Sequence, residues 1–175
     1  MPILYHPWDH ALTVFQTNIL VDADGHIRLA GFGVASSASA VSRVDVDSFF
    51  LGAAPELIEP RCFRLINTVA TTASDVYAFG VLAFEVSRGH RHFSNSQTKW
   101  RQVFAGRVPF HDKGTVAGVY SMSKGRRPSR PDHTQLTDRV WKTIKGCWKS
   151  NPTQRHTMAE VVAVLEAGAN THKSR

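Results

Sequence analysis

Nine histidines, two cysteines and fourteen carboxylates are among the side chains in this chain that could bind a metal or move a proton. Only the run His6-Pro7-Trp8-Asp9-His10 spaces two imidazoles as ligands to one ion, and Pro7 spoils a helical pairing between them. The run therefore reads as incidental. Cys62 and Cys147 have no partner at ligand spacing, which suggests neither a zinc site nor a disulfide framework and agrees with a reducing compartment. Ser36, Ser37, Ser39 and Ser42 offer hydroxyls that could accept phosphate, although solvated loop serines are the favoured reading. The formal charge of +7 comes from scattered basic residues, with clusters only at Lys124-Gly125-Arg126-Arg127 and at the tail. No stacking aromatics interleave them, so nucleic acid is not favoured; a solvated basic surface able to attract acidic partners fits better.

The elements that must position these residues follow from periodicity. A chain of 175 residues suits one domain with a core. Residues 18–33 read as a hairpin: Asn18 to Val21 is apolar, Asp22-Ala23-Asp24-Gly25 is turn chemistry, and His26 to Ala30 alternates. Residues 34–48 are small, polar and Ser-rich, as in a surface loop. From Ser74-Asp75 through Val86 the chain is apolar almost all round, which predicts a buried central helix, capped by Ser74 or Thr72 with Asp75 at its positive end. Leu136, Val140, Ile144, Cys147 and Trp148 form the stripe of an amphipathic helix that Asn151-Pro152 stops. Thr157-Met158-Ala159-Glu160 is a capping box, followed by apolar Val161, Val162 and Leu165 on one face. The tail, 167–175, is polar and expected to be flexible. The longest apolar run, around Val81-Leu82-Ala83-Phe84, is far short of a membrane span, and no leader opens the chain. An intracellular, cytoplasmic location is expected; the oligomeric state stays open.

Several motifs stand in one order. Asn18-Ile19-Leu20-Val21 is followed by Ile27-Arg28-Leu29-Ala30-Gly31-Phe32-Gly33, then by Ala54-Pro55-Glu56 and Ser74-Asp75-Val76-Tyr77-Ala78-Phe79-Gly80. Last come Cys147-Trp148, Pro152 and Arg155, in the form C-W-x-x-x-P-x-x-R. Over roughly residues 17–166 the chain resembles the C-terminal lobe of a protein kinase, the last motif being typical of tyrosine-kinase-like branches. The resemblance implies a mainly α fold, the large lobe with a short N-terminal β-hairpin. The small lobe is expected to be absent, because only 17 residues precede Asn18. It also implies that Glu56 and Arg155 form a buried ion pair, that Asp75 accepts hydrogen bonds from the catalytic-loop backbone, and that Trp148 is structural. Asn18 matches the asparagine that binds a second magnesium.

The positions that carry the family's chemistry depart from the pattern. In H-R-D-L-x-x-x-N the base lies five residues before the asparagine, and counting back from Asn18 gives Thr13 in Ala11-Leu12-Thr13. Threonine has no carboxylate to accept a hydroxyl proton near neutral pH. Gly31 stands where the family's aspartate holds the magnesium that bridges the ATP phosphates, and glycine offers no ligand. Thr13, Asn18 and Gly31 are thus vestigial positions, and Phe32 reads as a packing residue. ATP and magnesium, used by active relatives, are not expected here.

Residues 87–102 are polar, basic and aperiodic, and Trp100 among them is read as incidental rather than as a partner anchor. Deleting Val86–Gln102 joins Phe84-Glu85 to Val103-Phe104-Ala105-Gly106 and reads like the family's unbroken helix and loop. Val-Ser can be encoded by a splice donor and Gln by an acceptor ending, which suggests a retained intron over about 86–102. Gln16 fits the same idea, making 1–16 a non-homologous segment before the 17–166 domain. The expected helix holds to about Glu85, extending by a further turn at most. Residues 89–99 are expected to be an exposed loop, with order returning near Val108-Pro109-Phe110. The expected function is a catalytically incompetent kinase-like domain that binds protein partners. The alternatives are a truncated or misannotated fragment of an active serine/threonine or tyrosine-kinase-like enzyme, and a basic interaction module.

Overall fold

The longest apolar stretch of the sequence becomes the axis of the molecule. In the computed structural model, which describes residues 18–22, 24, 26–29, 52–59, 64–65, 71–88, 101–102, 110–131 and 136–173, helix α1 runs Thr72–Arg88. Val76, Tyr77, Ala78, Val81, Leu82 and Phe84 are all buried along it. The cap is Thr71 rather than Ser74 or Thr72. The Ser74 N–H donates to Thr71 Oγ1 at 3.2 Å, while the Thr71 N–H donates to Ser74 Oγ at 2.9 Å. Ser74 therefore sits at the third helical position and completes a reciprocal box.

Two further helices pack against this axis. Helix α2 (Thr115–Ser123) was not foreseen, and helix α3 (Asp138–Cys147) carries the expected stripe. Thr137 caps α3 by accepting from the Val140 N–H at 3.3 Å. Leu136, Ile144, Cys147 and Trp148 are buried, and Val140 packs against them. The approach of α1 to α3 is close at Gly80, where a Cβ would lie 2.8 Å from Cys147 Cβ. Glycine is needed there for proximity, and any larger residue would push the helices apart. Asn151 ends the α3 region as expected, its Oδ1 accepting from Thr153 N–H at 3.0 Å ahead of a short 3-10 turn, Pro152–Gln154.

Helix α4 runs Met158–Lys173. Its capping box is formed: Thr157 N–H donates to Glu160 Oε2 at 2.7 Å, and Glu160 N–H donates to Thr157 Oγ1 at 3.3 Å. Two expectations are corrected. The helix continues through the polar tail to Lys173, because adding a residue to an existing helix costs far less than starting one. The apolar face is also narrower than expected, since Val161 is buried while Val162 and Leu165 are exposed.

The β-structure is small. Strands β1 (Ile19–Val21) and β2 (Ile27–Leu29) form the expected antiparallel hairpin, with Ile19 opposite Leu29. Asp22 holds its turn: Oδ1 accepts from the N–H groups of Asp24 (3.1 Å) and His26 (2.8 Å), and Oδ2 from Arg28 Nε at 3.0 Å. Those bonds, first the one from the His26 backbone, hold the Asp22 carboxyl below its ordinary range. A two-stranded ribbon of β3 (Ile58–Glu59) and β4 (Arg64–Leu65) follows a 3-10 turn at Pro55–Leu57.

A third strand, β5 (Arg101–Gln102), pairs with β1, Leu20 opposite Gln102, to give the order β2-β1-β5. This corrects the expectation that order returns only near Val108-Pro109-Phe110. Arg101 and Gln102, expected to precede the return of order near Val108, are paired with β1 in the sheet. At the start of the segment 86–102, α1 ends at Arg88, within the further turn expected past Glu85, with Ser87 Oγ donating to Phe84 O at 2.6 Å. The expected loops at 34–48 and 89–99 lie outside the described residues.

Glu85 is the exception on α1, a carboxyl only 5% exposed. Burial pushes its pKa up to about 8, so it is held neutral below that pH. Between the ordinary carboxylate range and pH 8 the folded state keeps a proton that the unfolded state has released, and stability falls as pH rises. Unfolding by urea at pH 5 and pH 8 should show this fall, and Glu85→Gln should flatten most of it. An unchanged slope in the variant would place Glu85 in water.

Candidate functional site

All five donors of the Arg155 fork are hydrogen-bonded. Nη1 and Nη2 each donate to one oxygen of Glu56, both at 2.7 Å. Nη1 also donates to Ala73 O at 2.8 Å, Nη2 to Ser150 O at 3.3 Å and Nε to Lys149 O at 2.8 Å. The Arg155 side chain is fully buried, while 30% of the Glu56 side chain is exposed. One guanidinium thus ties the 3-10 turn at Pro55–Leu57, the first turn of α1 and the loop after α3. Lysine could not reproduce this, having neither the planar fork nor a donor at Nε.

Tyr77 of α1 lies beside it. The Arg155 guanidinium is 4.9 Å from the Tyr77 ring centroid, and that of Arg127 is 5.4 Å away. Arg127 donates from Nε to Trp148 O and from Nη1 to Met122 O, both at 2.8 Å. Burial lowers the Arg127 pKa, and the neighbouring Arg155 lowers it further. The tyrosine ring therefore lies near two cations. Its hydroxyl is buried without a hydrogen-bond partner among the described residues, and burial pushes its pKa up to about 12.

Trp148 closes the arrangement from the core side. Its ring is 5.4 Å from Phe84 and 5.8 Å, edge-on, from Trp141. Asp75 stands half-buried in the first turn of α1, where its charge complements the helix dipole. Asn18 is half-buried immediately before β1. Glu56, Asp75, Arg155 and Trp148 are thus gathered around α1, with Asn18 at the hairpin. Thr13, Gly31 and Phe32 lie outside the described residues. Asp22, Asp24 and His26 bring possible metal-ligand atoms within 4.8 Å of one another, but the Asp22 oxygens already accept from Arg28 and backbone amides.

Arg127 and Tyr77 were missed. Arg127 was grouped with a solvated basic cluster, and only the following Pro128, which prevents helix continuation, set it apart. Tyr77 was read as part of a buried helix without a partner. No local signal names the residue across the core that a buried aromatic will meet.

This gathering of a 3-10 turn, a buried helix and a late arginine agrees with comparison to known proteins. The protein kinase domain family matches residues 15–164, and the chain belongs to that family. The chain is similar to "Probable serine/threonine-protein kinase PBL12" of Arabidopsis thaliana, at 29% identity over 95% of this chain and 37% of the relative. It is also similar to mitogen-activated protein kinase kinase kinase 1 of the same plant (28%, over 83% of this chain and 20% of the relative). Tyrosine-protein kinase TXK of Mus musculus matches at 32%, over 58% of this chain and 16% of the relative. The chain spans well under half the length of these relatives. Among the described residues no helix is long and apolar enough to cross a membrane.

Removing the two partners of the ion pair should not be equivalent. Glu56→Ala leaves a fully buried guanidinium with carbonyl acceptors only and should cost about 3 kcal/mol. Arg155→Met leaves a carboxylate that already reaches water and should cost less. Equilibrium urea unfolding of both variants measures the difference, and equal losses would mean that burial of the arginine charge is not what sets the cost.

Proposed function

We propose that this domain keeps the protein kinase scaffold, does not transfer phosphate from ATP–magnesium, and acts by binding protein partners. The observation that carries this reading is the contrast between two sets of residues. The scaffold set is intact, with Glu56 and Arg155 joined by two 2.7 Å hydrogen bonds and Trp148 buried beside α1. The chemical set lacks its carboxylates: Thr13 stands at the base position and Gly31 at the main metal-ligand position. Asn18 alone cannot anchor the metal pair that active kinases use. The reading assigns no ATP or magnesium to the domain and belongs to an intracellular, cytoplasmic protein. The C-W-x-x-x-P-x-x-R spacing supports a tyrosine-kinase-like origin.

A second reading, a segment of an active kinase, draws on the greater length of the related kinases. Sequencing full-length transcripts across residues 1–16 and 86–102 separates the two. A transcript with H-R-D before Asn18 and an aspartate at position 31 would favour the enzyme.

The purified chain, incubated with radiolabelled ATP and magnesium, should incorporate no label into itself or into a generic basic protein. Incorporation that Asn18→Ala abolishes would overturn the proposal.

A further inference from the structure

Helix α2 buries one side and leaves an apolar stripe on another. Gly118, Val119, Ser121 and Met122 face inward, while Val116 is 64% exposed and Tyr120 53% exposed. Val116 and Tyr120 are four residues apart and so lie one turn above each other on the same face. Both ends of this stripe are cationic. Lys113 is exposed just before the helix, and exposed Lys124 follows it with its ammonium 5.5 Å from the Tyr120 ring centroid. Arg126 is exposed two residues further on, past the end of the helix. Lys113, Lys124 and Arg126 form no ion pair among the described residues, and Asp112 is the only carboxylate between Phe110 and Pro131.

We infer that this face of α2 docks an acidic segment of a partner protein, one that carries a Leu- or Phe-type side chain between carboxylates. The apolar side chain would cover Val116 and Tyr120, and the flanking carboxylates would meet Lys113, Lys124 and Arg126. The inference rests on the reading of the domain as a protein-binding scaffold and names its surface. Charge decides the occupant. A second copy of this chain would set the same lysines against one another in a two-fold contact, which is repulsive. A nucleic-acid strand needs successive stacking platforms, and Tyr120 is the one exposed large aromatic among the described residues. The patch is small, so binding is weak and salt-sensitive.

The test uses the purified chain and three synthetic peptides of equal length: Glu residues interspersed with Leu and Phe, all Glu, and Lys replacing Glu in the first. Fluorescence polarisation measures affinity, and amide chemical shifts of the isotope-labelled chain locate the contact. The Glu/Leu/Phe peptide should bind, shifting resonances of Val116, Tyr120 and Lys124. The double variants Val116→Asp/Tyr120→Glu and Lys113→Glu/Lys124→Glu should each weaken it about tenfold while the rest of the amide spectrum is retained. These are surface positions, and the milder Tyr120→Ala, expected to weaken binding severalfold, serves should a double variant disturb the fold. Equal binding of the all-Glu peptide would overturn the inference, as would shifts confined to other elements. So would displacement by a single-stranded oligonucleotide, or self-association of the chain lost in Tyr120→Glu. Phosphate transfer measured on the same preparation bears on the scaffold reading alone, so the two failures are distinguishable.

Discussion

A guanidinium with no exposed surface must have every donor occupied, and the structure around Arg155 is arranged to meet that demand. The carboxylate comes from Glu56, 99 positions earlier, and the carbonyls come from Ala73, Lys149 and Ser150. Each acceptor lies on a different piece of chain. The Pro55–Leu57 turn, the start of α1 and the loop before Arg155 can therefore satisfy the charge only in one mutual position. Such a group contributes little net stability compared with a well-packed apolar substitute, but it discriminates strongly against other arrangements. Its role here is to define geometry.

The apolar core supplies the driving force that this charge cannot. Tyr77, Phe84, Ile144 and Trp148 are each at most 2% exposed and share one cluster with Leu57 and Met122. Trp148 links the two systems, since its ring packs against Phe84 while its carbonyl accepts from Arg127. Gly80 permits the close contact of α1 and α3 on which this depends. The result is one packed core around α1, joined through Trp148 and Arg127 to the polar groups beside Tyr77.

How much of this was legible in the sequence varied with the range of the interaction. Local signals were reliable: the hairpin held at Asp22, the capping box at Thr157 and Glu160, and the stripe of α3 all form. The stop at Asn151-Pro152 is also local and was readable. What failed depended on tertiary context. The cap at Thr71 was passed over because three hydroxyl residues compete there, and only the helix start distinguishes them. Strand β5 has no alternating pattern in two residues, so its pairing with β1 left no trace in composition. Helix α2, with Gly118 and three serine or threonine residues in nine, has weak intrinsic preference and is held by packing at Val119 and Met122. At the site, the Glu56–Arg155 pair was reachable only through family motifs, since no periodicity connects positions so far apart. Arg127 shows the converse: its charge suggested solvent, and its half-buried place follows from carbonyls brought near by the fold.

The dependence of the structure on the buried guanidinium is most directly measured by a double-mutant cycle of Glu56→Gln and Arg155→Met, with unfolding free energies for all four proteins. If the two side chains define one geometry together, the double variant should lose far less than the sum of the singles, with a coupling energy of about 2 kcal/mol. Coupling within about 0.5 kcal/mol of zero would mean that the two act independently and would contradict the account.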